Sequence, residues 1–535
     1  MSLALYDVVV IGGGPVGLAA TYQSAKAGAN VVVLEQNNFF NQAGSSGDLA
    51  RMYTEDFMAD LAKDALEYWD YLEHDAGTSL RWMSGLLNFG DKDLGGGTPE
   101  GTLLGPIPNL KRLNMTYKEL TAQEIEQRYP FKNLPSDWVG LFAPDNGVIN
   151  VQLLLRTLMR LAREYGAQAK QHTEVKSITP SKDSNDTWIV HAVDREKGAV
   201  TFATKKIIIA SGAYVNHVLN PSFGISLDLD IWEMVATYFN ANAGPNGTLF
   251  PSMWFQFAPD KNGRSQLFYG FPTVPWGPPN VVRIAVDAAS RRIKDPNERA
   301  TNIFSPDDIQ DTQDFVRDNV VGVDFTVPAS TVSCLQTNVF DNMFVLDFIP
   351  EAYLKGGPKD SIAVFTAGWA MKFVPLLGKA LADMALTGQS KYALKDFSIS
   401  RTNSSNPQQG IIIANSSDHT AARRSSYAYM KQGVGSSLGG FPNNACPVCK
   451  KIAGPRCATL EHLIHCKVHD CYHSIRSECA QCKDSTERAL REERRQSESG
   501  SGESVNDENT PPANNNNNNN RNNRRKGRKS RRARG

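Results

Sequence analysis

Thiols are nearly absent from the first 445 residues of this 535-residue chain, which hold one cysteine, Cys334, while the other seven lie at or beyond Cys446. Cys334 is either a small core residue, as free cysteine commonly is, or a residue kept for its chemistry. The clustered seven, in a chain without secretory features, point to metal rather than disulfides. Long apolar runs are missing too. No eighteen consecutive residues are apolar, so no transmembrane helix is expected. The N-terminal "MSLALYDVVVIGGG" lacks a cationic start ahead of a cleavable apolar stretch, so an intracellular setting is expected. Acid is absent from the last fifteen residues, nine of which are Lys or Arg, so the first 520 residues carry a formal charge of about −8 although the whole chain is at +1. A mildly acidic body with a basic tail differs from a neutral protein.

What is present is a long chain with several kinds of local pattern. At this length two or more domains are expected. "VVVI" (8–11) suits a buried parallel strand, and "VVVLE" (31–35) a second one. Between them, "GGGPVGLAATYQSAKAG" is a glycine turn followed by a helix with small residues Ala19, Ala20 and Ala25. Gly12, Gly14 and Gly17 give G-x-G-x-x-G in that context. Gly12 permits the tight turn, Gly14 lets a pyrophosphate approach the helix N-terminus, and Gly17 lets the helix sit close to the strand. Glu35 ends the second strand about twenty residues on, where a carboxylate accepts hydrogen bonds from ribose hydroxyls. The acid disfavours a 2′-phosphate, which leaves NAD or FAD. Further on, "TEDFMADLAKDALEYWDYLEHDAG", "NVQLLLRTLMRLAREYGAQ" and "GKALADMALTG" have helical spacing, the last two closed by Gly166 and Gly388. "HTEVKSI", "WIVHAV", "KKIIIASGAY", "QLFYGFPTV" and "NVVRIAVD" have strand patterns. No internal repeat occurs.

Four stretches resemble the FAD-dependent amine oxidases of the D-amino-acid oxidase superfamily, in particular the sarcosine oxidase and N-methyltryptophan oxidase group. The first is the glycine turn with Glu35. The second is "AGSSGDLAR", with Ser45, Ser46 and Arg51. The third is "STVSCLQTNVFDNMFVLDFIP", where Cys334, Thr337, Asp341, Phe344 and Asp347 keep the spacing of a family pattern whose cysteine is joined to the flavin. The fourth is "FTAGWAMKF", with Gly368 and Lys372. The segments around Val175 and Gly212 are similar to the superfamily's middle section. The resemblance implies FAD held by Gly12, Gly14, Gly17, Glu35, Ser45, Ser46, Val175, Gly212, Gly368 and Lys372, with a thioether from Cys334 to the flavin's 8α-methyl carbon. It implies that Lys372 pairs with a substrate carboxylate and that Arg51 is a second cation on it. Where the family has a lysine near flavin N5 that assists oxygen activation, the match is Arg283, which keeps the charge but is bulkier and does not titrate. Trp369 stands in place of a family histidine. It packs against substrate or flavin, or fills space, and cannot accept a proton.

The expected fold class is α/β with an α+β second lobe: a Rossmann-type FAD-binding domain, a mixed-sheet substrate domain, a Cys/His-rich zinc segment and a disordered basic tail. The expected boundaries are 1–401 for the oxidoreductase, with a nucleotide lobe from 1–85, 145–220 and 330–401 and a substrate lobe from 86–144 and 221–329, then a linker over 402–444, a zinc segment over 445–484 and a tail over 485–535. The expected partners are a small-molecule amine and O2. The resemblance implies oxidation of a secondary amine or N-methyl amino acid, sarcosine-like or larger, with imine hydrolysis and H2O2 as product. Two alternatives stand beside it: an amine dehydrogenase using another acceptor, suggested by Arg283, and a zinc-dependent nucleic-acid-binding protein with a degenerate flavin fold. The candidate zinc ligands are Cys446, Cys449, His462, Cys466, Cys471, Cys479 and Cys482, since paired thiolates supply tetrahedral sites. The arginine-rich end is either a nucleic-acid contact or a solvated tail. The tail as a whole is a fusion or a joining of two separate reading units. The chain ends Ala-Arg-Gly, without a peroxisomal tripeptide, and a cytoplasmic location is expected over a nuclear one.

Overall fold

Val8, Val9 and Val10 are fully buried in strand β1, Leu5–Ile11, where β-branched side chains pack well between two covered faces. The computed structural model describes residues 4–41, 48–49, 52–94, 101–242, 249–258, 267–300, 306–404 and 406–414, together with the strands Leu463–Cys466 and Cys471–Ser474. β1 lies parallel to β2, Val31–Leu34, on one side and to the strand Gly198–Ile209 on the other. Gln168–Lys170 continues the parallel sheet beyond β2, Ile362–Thr366 continues it beyond Gly198–Ile209, and Val345–Phe348 adds an antiparallel edge. Helix α1, Pro15–Lys26, joins β1 to β2. Val8 and Val10 pack among residues of α1 and of the helices Asp56–Ala76, Val151–Glu164 and Val374–Thr387, whereas Val9 and Ile11 pack among those of Val215–Phe223 and of the strands Thr173–Pro180 and Trp188–Asp194. Gly77, Gly166 and Gly388 follow three of these helices with φ of 64°, 90° and 80°, so the expected ends at Gly166 and Gly388 stand, and Gly77 ends a third helix in the same way.

Two helices of this lobe touch unusually closely. At Gly378 in Val374–Thr387, a Cβ would lie 2.5 Å from the Cβ of Ala19 in α1. Only a glycine lets the two backbones approach so far.

The second lobe is a mixed sheet of nine strands among the described residues. Its order is Arg291–Ile293, Asp230–Asn240, Val281–Val286, Leu267–Phe271, Met253–Phe257, Leu86–Gly90, Val139–Ala143 and Lys118–Thr121, with Ser330–Asn338 pairing the second of these from its other side. Its outer face carries an aromatic core in which Phe268 and Phe315 stack at 4.2 Å. Its inner face carries Leu86, Leu141, Met253, Phe255 and Phe271.

Two expected boundaries need correction. The strand Ser330–Asn338, expected in the nucleotide lobe, belongs to the mixed sheet through nine residue pairs with Asp230–Asn240, because its β-branched and polar alternation fits a half-buried sheet. The linker does not begin at 402. Ile411 is 0% exposed, and Ile412–Ala414 pairs antiparallel with Ile225–Leu227. The polar 402–410 stretch is followed by a short apolar run, Ile411 to Ile413, which packs and pairs back on the first unit. The chain divides into two units, Met1–Asn415 and Ser416–Gly535. In the second, the described residues form a hairpin with Cys466 opposite Cys471. No helix among the described residues is long and apolar enough to cross a membrane.

Candidate active site

The glycine turn has the backbone that its residues dictate. Gly12 has φ of 106°, and a Cβ there would meet the Ala210 carbonyl oxygen at 2.4 Å. A Cβ at Gly17 would lie 1.9 Å from the Gly12 carbonyl oxygen, whereas one at Gly14 would meet nothing within 4 Å. Gly12 and Gly17 therefore serve the turn and the helix packing, and Gly14 leaves room for something outside the chain. Gly14 is also the N-cap of α1 and has no side chain to satisfy the first-turn N–H groups, which suits an anion. Glu35, 8% exposed, is fixed by the N–H groups of Gly13 and Asn37, each donating at 2.8 Å. Each carboxylate oxygen keeps a further lone pair.

A cavity runs from this turn between the ends of the parallel strands, lined by Gly12, Gly14, Glu35, Val175, Gly212 and Thr337 among others. This is the carboxyl edge where α/β sheets bind ligands. Ser211 Oγ, on the same wall, is buried without a hydrogen-bond partner among the described residues. An open helix N-terminus, a carboxylate beyond the second strand and an orphaned hydroxyl together fit a dinucleotide.

The far wall is the turn Ala370–Phe373, whose Ala370 and Met371 line the cavity. The next residue, Lys372, is 2% exposed. Its ammonium lies 5.5 Å from the ring centre of Tyr53 and 5.4 Å from that of Trp369, an aromatic setting that favours a retained cation. Its carbonyl accepts from Trp69 Nε1 at 2.8 Å. Trp369 donates to the Asn342 carbonyl at 2.7 Å and lies 4.8 Å from the ring of Phe344. Gly368 presses on the cysteine strand: a Cβ there would meet Gln336 Cγ at 2.2 Å.

On that strand, Leu335 and Thr337 line the cavity, and alternation turns Cys334 and Gln336 to the other face. Cys334 sits opposite Met234, and Arg283 sits opposite Tyr238, so both belong to one face of the mixed sheet. The Arg283 guanidinium lies 5.0 Å from the ring centre of Phe271, and Nη2 donates to the Tyr269 hydroxyl at 3.2 Å. Its Nε is buried without a partner among the described residues. Burial works against its charge, but Tyr269, Tyr238 and Cys334 outweigh that and hold its pKa above the ordinary range. Burial pushes the Cys334 thiol up, and the charges of Arg283 and Arg299 pull against it.

The sequence pattern of the family described as "DAO: FAD dependent oxidoreductase" matches residues 7–384. The chain belongs to this family of FAD-dependent oxidoreductases. A Dictyostelium discoideum protein named as a bifunctional amine oxidase is 51% identical over 412 residues; the match covers 74% of this chain but only 37% of that protein. Human peroxisomal sarcosine oxidase is 28% identical over 419 residues, covering 74% of this chain and 96% of its own. The solved structure of NikD, an unusual amino acid oxidase essential for nikkomycin biosynthesis, has a TM-score of 0.65 at 31% identity and covers 74% of this chain and 97% of its own.

Within this DAO-family chain, the structure gathers Gly12, Gly14, Glu35, Val175 and Gly212 at one cavity, with Gly17 behind the turn and Lys372 beside the far wall. Cys334, Gly368 and Arg283 lie at or near the cysteine strand. Ser45, Ser46 and Arg51 lie outside the described residues, as do Cys446, Cys449, His462, Cys479 and Cys482. Of the spaced residues after Cys334, Asp341 takes both Arg401 Nε at 2.8 Å and Nη2 at 2.9 Å, and Asp347 accepts from Ser398 Oγ at 2.7 Å and Ile399 N at 3.0 Å. These carboxylates tie down the loop before residue 402. Sequence reasoning missed Tyr214 and His217, which line the cavity. Their signal was position: both directly follow a buried strand, where α/β ligands bind.

Proposed function

We propose that this chain oxidises a secondary amine or N-methyl amino acid, with the imine product hydrolysed by water. FAD, when bound, would supply the two-electron redox chemistry, with dioxygen as the final acceptor. Gly14 and the N-terminus of α1 would hold the pyrophosphate, and Glu35 the adenosine ribose. Lys372 holds the substrate carboxylate, with Arg51 as its second cation, and so places the amine carbon for reaction. The Tyr53 and Trp369 rings exclude water from that cation and strengthen its grip. Arg283 would provide a permanent charge on the Cys334 face of the mixed sheet. Cys334 lies on the Arg283 face of the mixed sheet, next to the cavity-lining Leu335, and would hold the flavin as a thioether.

The observation that carries this reading is Lys372, a buried cation one residue from the wall of a dinucleotide cavity. The relatives named as sarcosine oxidase support the same substrate class. The test is peroxide release from the FAD-loaded protein with sarcosine, larger N-methyl amino acids and cyclic secondary amino acids. Absence of peroxide and of flavin bleaching with every member defeats the reading. Bleaching under argon, with slow recovery in air and fast recovery with a dye acceptor, favours the dehydrogenase alternative to which Arg283 points. Zinc and nucleic-acid binding belong to residues beyond those described in the first unit. Zinc is proposed from the paired cysteines, and metal analysis of the purified protein tests it.

A further inference from the structure

The turn after Arg291–Ile293 touches three separate parts of the first unit. Asp295 Oδ1 accepts from Asn297 N at 2.8 Å, and Glu298 Oε1 accepts from Asp295 N at 3.2 Å, which closes the turn on itself. Asp295 Oδ2 lies 2.8 Å from His217 Nε2, and Asn297 Oδ1 accepts from the Tyr214 hydroxyl at 3.3 Å. Both partners stand on the wall of the dinucleotide cavity. Ala300 N donates to Glu233 Oε2 at 3.4 Å. Arg299 turns toward the cysteine strand, where Nη2 donates to the Ser333 carbonyl oxygen and, at 3.1 Å, to Ser333 Oγ. Its Nε is buried without a partner among the described residues. A guanidinium is therefore fixed on the peptide immediately before Cys334.

We propose that Arg299 is a positioning residue for flavin attachment, fixing the peptide ahead of Cys334 and keeping a positive charge one residue from its thiol. This rests on the covalent reading of Cys334 given above. Attachment breaks the S–H bond of Cys334 and one C–H bond of the flavin 8-methyl group, and a carbon–sulfur bond forms. The two electrons and two protons pass to the flavin ring, and dioxygen removes them as hydrogen peroxide. The attacking species is the thiolate, so its supply sets the rate. Burial raises the Cys334 thiol above its ordinary range. Arg283 and Arg299 act to lower it, and Asp287 and Glu233 to raise it further. These four charges come from the Val281–Val286 strand, the turn after it, the 295–299 turn and the Asp230–Asn240 strand. Attachment therefore accelerates as pH rises toward that raised value.

The experiment mixes apoprotein with FAD, precipitates samples in acid at intervals and reads the flavin retained in the pellet, across a pH series. Arg299→Gln is expected to slow attachment about tenfold at pH 7, because less of the thiol is ionised. That deficit should close at high pH. Glu233→Gln should move the profile the opposite way, to lower pH. Arg299→Lys keeps the charge and should keep the wild-type midpoint. A deficit in Arg299→Gln that is the same at every pH overturns the proposal, because lost packing alone would look like that. Should Arg299→Gln not fold, a shifted midpoint in Arg299→Lys overturns it and an unshifted one supports it. Acid-stable flavin forming equally fast in wild type and Arg299→Gln defeats only this proposal. No acid-stable flavin in the wild type defeats the covalent reading beneath it.

Discussion

Gly14 and Gly17 are three positions apart and face opposite demands. A methyl at Gly17 collides with the chain's own backbone, whereas one at Gly14 meets nothing. Gly17→Ala should therefore lower the melting temperature and abolish FAD retention together. Gly14→Ala should melt like the wild type without ligand yet bind FAD at least about tenfold more weakly, a loss of roughly 1.4 kcal/mol. Calorimetry of the apoprotein and flavin titration separate the two. At Lys372, the expected loss comes from a charge-assisted hydrogen bond worth about 1.5–3 kcal/mol. Lys372→Met should cut kcat/KM for a carboxylate-bearing amine by about tenfold to a hundredfold, mainly through KM, and should leave a substrate without a carboxylate nearly unaffected. The glycines were legible in the sequence because their roles depend on neighbours within one strand–turn–helix unit. Arg299 was not, because its partner Ser333 is 34 positions away and nothing local marks either residue.

Elements of the first unit are joined by a few polar clamps rather than by packing alone. Helix Asp56–Ala76 ends at Gly77 in the left-handed region, and Glu73 in its last turn accepts from the N–H groups of Leu80 and Arg81 at 2.7 and 2.9 Å. The same carboxylate takes Arg81 Nη2 at 2.7 Å, and the Arg81 side chain is only 6% exposed. Glu73→Ala leaves two N–H groups without their acceptor and the shielded guanidinium with Asp70 Oδ1 alone, at 2.6 Å. It should destabilise the protein by about 2–4 kcal/mol in denaturant unfolding. Gly77→Ala, which strains only the cap, should cost about 1 kcal/mol. Helix ends of this kind were readable from glycine placement. The sheet membership of Ser330–Asn338 was not, since alternation predicts a strand but does not say which neighbour it joins.

At the scale of the molecule, the oxidoreductase body extends to Ala414, past the residue where composition alone puts a linker. Three isoleucines at 411–413 are too few to announce a strand, yet Ile411 is fully buried. A chain ending at residue 401 should lose about 1.5–3 kcal/mol of stability from that side chain alone, whereas one ending at 415 should match the full-length body in its main unfolding transition. The close contact of Gly378 with Ala19 has a wider bearing. One helix opens at the glycine turn, the other just after Lys372, and the pair meet backbone to backbone. A residue bulkier than glycine at that crossing would push the two helices apart, and so is expected to disturb both of their N-terminal ends at once although it lies at neither.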